Sequence, residues 1–281
     1  MTSQLKTVLL LGLLSGLIIL LGGWLGGRAG VIFACGLAIV MNVGSYWYSD
    51  KIVLSMYRAR ELSPGDAPFL SDTVRDLAAR AGIPEPRIFV APEQAPNAFA
   101  TGRDPEHSVV AVTEGILGIL SPEELRGVIA HEIGHIVNRD ILIQTIAGVM
   151  ASALISMANM LQFGAIFGHR DNNGPGVAGG IILALVAPIA AGLIQMAISR
   201  SREFLADETG ARLCGQPLAL AGALYKLSAA SGQTPLSRGN PSTAEMFIVA
   251  PLFDTDRKIG ALFSSHPPVE ERMARLRDMA I

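Results

Sequence analysis

Five consecutive residues carry recognisable chemistry: His131-Glu132-Ile133-Gly134-His135. On a helix of 3.6 residues per turn, positions 131 and 135 project from one face, so two imidazoles can share one zinc ion. Glu132 stands beside them, placed to take a proton from an attacking water. With 5 His in 281 residues, this pattern is expected by chance only about 0.004 times. A metal site therefore outweighs a solvated helix face that happens to carry two histidines.

Catalytic zinc usually keeps three protein ligands and one open position, so a third ligand must come from elsewhere. Two sources stand out: His266, in Phe263-Ser264-Ser265-His266-Pro267-Pro268, and Glu203, in Ser201-Arg202-Glu203-Phe204-Leu205-Ala206-Asp207. Glu203 and Asp207 are four residues apart and face the same way on a helix. One carboxylate could bind zinc while the other accepts the second N–H of a ligand imidazole. Glu203 could equally be a surface partner of Arg200 or Arg202. His107, in a loop, and His169, beyond a long apolar stretch, are not read as ligands.

The elements that must position these residues can be read locally. Ser121 is a good N-cap, Pro122 suits the first helical position and Glu124 completes a capping box, so the helix bearing 131–135 starts there. Nothing in the sequence stops it before residue 141. Upstream, the spacing predicts a helix over 70–81 and short strands at 87–91, 97–101 and 108–113, punctuated by prolines and glycines. Residues 199–281 read as mainly helical, interrupted by a Gly/Ser/Pro-rich loop at 231–243.

Composition sets the surroundings. Half the residues are hydrophobic, 16% are charged, and mean hydropathy is +0.42. Four stretches hold no Asp, Glu, Lys or Arg: 7–27, 29–49, 141–168 and 172–199. The rest of the chain then carries roughly a quarter charged residues, the ordinary globular share. Each stretch is long enough to cross a bilayer, which takes about 20 mainly apolar residues. A wholly soluble enzyme and a disordered chain are excluded, as is a nucleic-acid binder driven by bulk charge, because the net charge is only −2. Cys35 and Cys214 lie far apart in unlike surroundings, so no disulfide framework is expected.

Basic residues near the span ends give an orientation. Lys6, Lys51, Arg58, Arg60, Arg139, Arg200 and Arg202 flank one side, and Arg28 and Arg170 the other. Both termini and both polar segments are therefore expected in the cytoplasm. Trp24 and the Tyr46-Trp47-Tyr48 run lie where aromatic belts form. Gly12 and Gly16 give a small-xxx-small spacing that leaves homo-oligomerisation through the membrane helices open. His135 lies six residues before Ile141 and Glu203 four residues after Ser199, so at 1.5 Å per residue both sit within about 10 Å of the same membrane face. Two spans, out and back, bring them together.

In this order the features resemble the HtpX-type membrane zinc metalloproteases, in the same broader group as the Ste24-type prenyl-protein proteases. The resemblance rests on the two N-terminal spans, Asn97-Ala98-Phe99-Ala100-Thr101-Gly102, the 131–135 motif, a hydrophobic pair, and Arg202-Glu203-Phe204-Leu205-Ala206-Asp207. It continues through Asn240-Pro241-Ser242-Thr243-Ala244-Glu245-Met246-Phe247 and the 263–268 segment, and so covers nearly the whole chain. Ste24-type enzymes carry more spans and are the weaker match. The resemblance implies a gluzincin site: one zinc held by His131, His135 and Glu203, Glu132 as general base and then general acid, and Asp207 supporting a ligand histidine. Asn97, Ala98 and Phe99 match the edge strand that holds substrate in related proteases. His266 and Arg272 match a His/Arg pair near the scissile carbonyl; taken alone, His266 could anchor a turn and Arg272 could pair with Glu270 or Glu271.

The expected architecture is mainly α with a small mixed α/β part, a multi-pass membrane protein of about four transmembrane helices with a gluzincin-like zinc metalloprotease domain. Residues 1–49 form a transmembrane helical hairpin, 50–140 a cytoplasmic protease part with the 131–135 helix, 141–199 a second hydrophobic helical pair, and 200–281 a C-terminal cytoplasmic part with the third ligand. The expected activity is zinc-dependent hydrolysis of peptide bonds at the cytoplasmic face of the cell membrane. Membrane-protein substrates and the lipid bilayer are its expected partners, and quality control of misfolded or damaged membrane proteins its role. Processing of specific substrates, or a zinc-bound scaffold without proteolysis, are the alternatives. A zinc transporter is disfavoured, because the spans hold no charged or histidine ligand that would mark a path through the bilayer.

Overall fold

The longest element among the described residues grows out of the two N-terminal charge-free stretches. Helix α1 (Ser3–Met56) is two helices joined across a kink at Gly26 and Gly27, where Gly27 takes a φ of 53° that a side chain would resist. The halves fold against each other, and Asn42 Nδ2 donates to Ser15 Oγ across the hairpin at 2.8 Å. Ile32, Phe33, Ile39, Val40 and Trp47 are exposed on the second half. Gly26–Tyr48 is long and apolar enough to cross a bilayer, and is the one such segment among the described residues. The computed structural model of the chain describes residues 3–63, 65–142, 146, 200–231, 248 and 267–280. The expected membrane spans at 141–168 and 172–199 lie almost entirely outside these, as do His169, His266 and nearly all of the 231–243 loop.

Helix α1 runs past the expected boundary at 49 to Met56. Its last turns bury Val53 and Leu54, and Tyr57 just beyond them, against Phe89, Ala91, Phe99, Val109 and Ala111. These residues line one face of a four-stranded sheet built from β1 (Arg60–Glu61), β2 (Arg87–Ala91), β3 (Ala98–Thr101) and β4 (Val109–Thr113). The spatial order is β1-β2-β4-β3. Strands β2 and β4 are parallel, while β3 pairs antiparallel with β4 and has no strand on its other side among the described residues.

The alternate residues of the same strands, Ile88, Ala98, Ala100, Val110 and Val112, enter the main core. Successive residues point to opposite faces, so a strand buried on both sides is apolar throughout. That core is completed by α2 (Pro68–Ala81), α3 (Glu114–Ile119), α4 (Pro122–Val137), α5 (Arg200–Cys214), α6 (Pro217–Ser231) and α7 (Val269–Asp278). Helices α5 and α6 come from the far side of the apolar region, yet pack directly on α4.

Helix α4 begins as the capping rules predict: Ser121 accepts from the Glu124 N–H, and the Glu124 carboxylate accepts from the Ser121 N–H. Its end corrects the sequence reading. Instead of running into residue 141, α4 stops at Val137, and Arg139 takes a left-handed φ of 55°. The Arg139 N–H donates to Ile136 O and the Asp140 N–H to His135 O, the paired closing bonds of a Schellman turn. Glycine or asparagine usually occupies the left-handed position. An arginine there gave no warning.

Candidate metal centre and active site

Helices α4 and α5 meet unusually closely, and two glycines permit it. A Cβ on Gly134 would lie 2.9 Å from Ala206 O, and one on Gly210 would lie 2.7 Å from His131 N. This contact sets Glu203 and Asp207, one turn apart on α5, against the histidines of α4.

The imidazole nitrogens then sort themselves. His131 Nδ1 lies 2.9 Å from Asp207 Oδ1, and His135 Nδ1 lies 3.1 and 3.2 Å from the two Asp140 oxygens. With each Nδ1 facing a carboxylate, the two Nε2 atoms turn toward each other, 3.1 Å apart. Glu203 closes the set, with Oε2 3.7 Å from His131 Nε2 and Oε1 3.5 Å from His135 Nε2. All three residues are buried. Two lone pairs and a carboxylate pointing at one spot need a cation between them. Tetrahedral bonds of about 2.0–2.1 Å to N and O ligands imply ligand separations of about 3.3 Å, which the three distances bracket. The residues fit a zinc ion.

Electrostatics agree. Burial alone would make His135 harder to protonate, but Asp140, Glu203 and Glu132 outweigh it and raise its pKa to about 10; the pocket favours positive charge. Burial lowers the pKa of His131. Asp207 is buried too, which would raise its pKa, yet Arg272 and His131 hold it below the ordinary carboxylate range. Glu132 is buried beside the ligands, and burial pushes its carboxyl up to about 8 although it accepts a hydrogen bond from the Ala100 N–H.

Arg272 reaches the site and not its sequence neighbours. It is fully buried and pairs neither with Glu270 nor with Glu271. Its Nε and Nη2 fork onto the two Asp207 oxygens at 2.7 Å each, Nη1 donates to Ile248 O at 2.6 Å, and Nη1 lies 3.7 Å from Glu203 Oε2. Arg272 therefore holds Asp207 with both its Nε and Nη2 and lies beside Glu203. The proposed partner in that His/Arg pair, His266, lies outside the described residues.

Strand β3 delivers its residues unequally. Asn97 is tied to β4 by its carbonyl, which accepts from the Thr113 N–H, and by its own N–H, which donates to Thr113 Oγ1. Its Oδ1 accepts from the Ile248 N–H at 3.3 Å. Antiparallel pairing alternates, so in the register Ala98↔Val112 and Phe99↔Ala111 the backbone of Ala98 and Ala100 faces away from β4. Ala100 uses its N–H on Glu132. The Phe99 ring packs on Tyr57, centroids 5.1 Å apart, on the α1 side of the sheet. Ala98 is thus the residue with outward backbone groups beside the ligands, and the Phe99 side chain is turned away.

Asp140 was missed by sequence reasoning. A signal existed: an acidic residue is disfavoured at a helix C-terminus, where the macrodipole is negative, so one placed just past a ligand-bearing helix invites a search for a specific partner.

Two inward imidazoles on one helix, a carboxylate from a second and a buried glutamate beside them are the donor set that a zinc-type metallopeptidase would use. The comparisons with known proteins agree. The family model described as peptidase family M48 matches residues 64–280, and the chain belongs to that family. It is a hydrolase of the metalloprotease class. Its sequence is 54% identical over 284 residues to a protein of Syntrophobacter fumaroxidans named "Protease HtpX homolog", covering 99% of this chain and 100% of that one. Proteins of the same name from Persephonella marina and Pyrococcus furiosus are 55% and 53% identical, each covering 98% of this chain and 96% of its own length. Among solved structures, the crystal structure of S. mikatae Ste24p is similar with a TM-score of 0.49 and 21% identity, and the match covers 85% of this chain and 56% of that one.

Proposed function

We propose that this protein is a membrane-anchored zinc endopeptidase that cleaves loops and ends of membrane proteins at the cytoplasmic face, in the quality control of misfolded or damaged chains. The observation that carries the reading is the convergence of His131 Nε2, His135 Nε2 and Glu203 on one buried point, within reach of Glu132. A zinc ion held by these three supplies Lewis acidity, making water nucleophilic near neutral pH and polarising a carbonyl oxygen.

The chain's own residues do the rest. Glu132 takes the proton of the attacking water and returns it to the leaving amine. An extended substrate adds to the free edge of β3 through the outward backbone of Ala98, and strand addition reads main chain more than side chain. Broad sequence tolerance of this kind suits a protease that meets many damaged proteins. Asp207, held by Arg272, keeps His131 in its tautomer. Seven basic residues against two at the span ends favour the cytoplasmic orientation, and the relatives' printed name is that of a protease.

The test is cleavage of an unfolded model protein by detergent-purified enzyme with zinc, with chelator, and with Glu132→Ala. Activity lost in both controls and restored to the chelated wild type by zinc is expected. Turnover that survives either control would overturn the proposal.

A further inference from the structure

One buried acid beside the histidines comes from neither α4 nor α5. Asp140 lies outside the helix that carries the histidines, three residues past the end of α4, yet its side chain is about as buried as His131. It touches one residue twice. Its backbone N–H donates to the carbonyl of His135, and its carboxylate reaches Nδ1 of that same His135, with 3.1 and 3.2 Å to its two oxygens. The first bond is the outer closing bond of the Schellman turn, which exists only because Arg139 adopts a φ of 55°. A straight continuation of α4 would carry residue 140 further along the helix axis and away from the ring.

We infer that the turn at 138–140 positions the metal ligand, with Asp140 folded back beneath His135 to fix its ring orientation and its Nδ1–H tautomer. The inference rests on the metalloprotease reading. It gives the two histidines separate supports. His131 is held across the helix pair by Asp207 from α5, itself anchored by Arg272 from α7, whereas His135 is held by its own chain five residues on. Carboxylates that accept the outer N–H of a ligand imidazole typically govern metal affinity by about 10–100-fold. Arg139 sits at the position a side chain resists, so the turn is maintained at a local cost, as expected where backbone geometry serves a site.

Zinc affinity is the direct readout, measured on the full-length protein in detergent by competition with a chromogenic chelator. The visible spectrum of the cobalt-substituted protein and the unfolding of the metal-free protein are recorded beside it. Asp140→Ala is expected to weaken zinc binding about 10–100-fold and to change the cobalt spectrum, with the metal-free protein still unfolding cooperatively. Asp140→Asn keeps an oxygen that accepts from Nδ1–H and is expected to recover most of that loss. Arg139→Val, which leaves Asp140 in place but disfavours the left-handed turn, is expected to weaken binding as Asp140→Ala does. Wild-type zinc affinity and an unchanged cobalt spectrum in Asp140→Ala would overturn the inference alone. Equal loss in Asp140→Ala and Asp140→Asn would also overturn it, since charge and not an accepted hydrogen bond would then be responsible. A wild-type chain that binds no zinc would overturn the metalloprotease reading itself.

Discussion

Glu132 and Arg272 are both buried within a few ångströms of the same ligands, yet their removal should be felt in different quantities. In the proposed reaction Glu132 handles protons and holds no metal. Glu132→Gln should keep one zinc per chain and the unfolding profile while lowering kcat by about 10²–10⁴-fold, the usual worth of a positioned general base. Metal analysis beside steady-state kinetics checks both halves, and loss of zinc would place Glu132 among the ligands instead. Arg272 handles no substrate proton, but Asp207 depends on it. Arg272→Leu removes both short bonds to that carboxylate and leaves a buried charge with only His131 for a partner. Breaking one side of a buried ion pair typically costs about 3–5 kcal/mol, readable in denaturant unfolding of the zinc-loaded protein. A change below about 1 kcal/mol would show that Asp207 finds another cation or protonates cheaply. Arg272→Lys is no rescue, because a single ammonium cannot fork onto both oxygens.

Among the elements, the contact between α4 and α5 decides whether the site exists, and it hangs on the absence of two Cβ atoms. Alanine usually stabilises a helix over glycine by about 1 kcal/mol. At position 210 that gain should reverse, because the new methyl would sit 2.7 Å from His131 N and 2.8 Å from its Cα, both backbone atoms that cannot swing aside. Gly210→Ala is expected to cost about 1–3 kcal/mol, as overpacking does, and to weaken zinc binding by easing Glu203 away from the histidines. Gly118→Ala on α3 meets nothing within 4 Å and serves as the contrast, neutral or stabilising. A second contact holds α2 to α4 at the surface, where Arg126 and Arg80 bracket Asp76. Their hydrogen bonds keep the Asp76 pKa below its ordinary 3.8. With a depressed folded pKa, this contribution is complete above the unfolded value and lost as pH falls through the folded one. The wild type should therefore lose more stability than Asp76→Asn between about pH 5 and pH 2, seen as converging unfolding temperatures. Parallel curves would show the bracket contributes nothing. These elements also show what the sequence could and could not disclose. The start of α4, the strands at 87–91 and 109–113 and the 131/135 pair follow local rules of capping, alternation and helical period, so they were legible. The end of α4 was not, because a left-handed arginine has no compositional signature. The Arg272–Asp207 pair was not, because a contact 65 residues apart in sequence depends on how α7 packs on α5.

At the scale of the whole molecule, the proposed metal ligands are separated in sequence by the long charge-poor stretch at 141–199. His131 and His135 precede residues 141–199 and Glu203 follows them, while α1 reaches from the apolar hairpin into the back of the sheet through Val53, Leu54 and Tyr57. Both halves of the site meet in one cluster, so in a membrane they would share one side, and the side proposed from the distribution of basic residues is the cytoplasmic one. That choice can be tested without any substrate. In a background with Cys35→Ser and Cys214→Ala, a cysteine placed at the exposed Glu106, in the segment between β3 and β4, reports the side on which the catalytic part lies. A membrane-impermeant maleimide should label Glu106→Cys in inside-out vesicles and leave right-side-out vesicles unlabelled until detergent is added. A cysteine at Arg28, between the two halves of α1, should give the opposite pattern. Labelling of Glu106→Cys from outside would reverse the orientation, and with it the class of substrate: a site on that face would meet extracytoplasmic segments of membrane proteins and not their cytosolic loops. The kink at Gly26 and Gly27 folds the two halves of α1 against each other, so if that hairpin spans the bilayer the two positions should never label from the same side. If they did, the hairpin would not span the bilayer at all, and the zinc site would be anchored to the membrane only through the chain between 141 and 199.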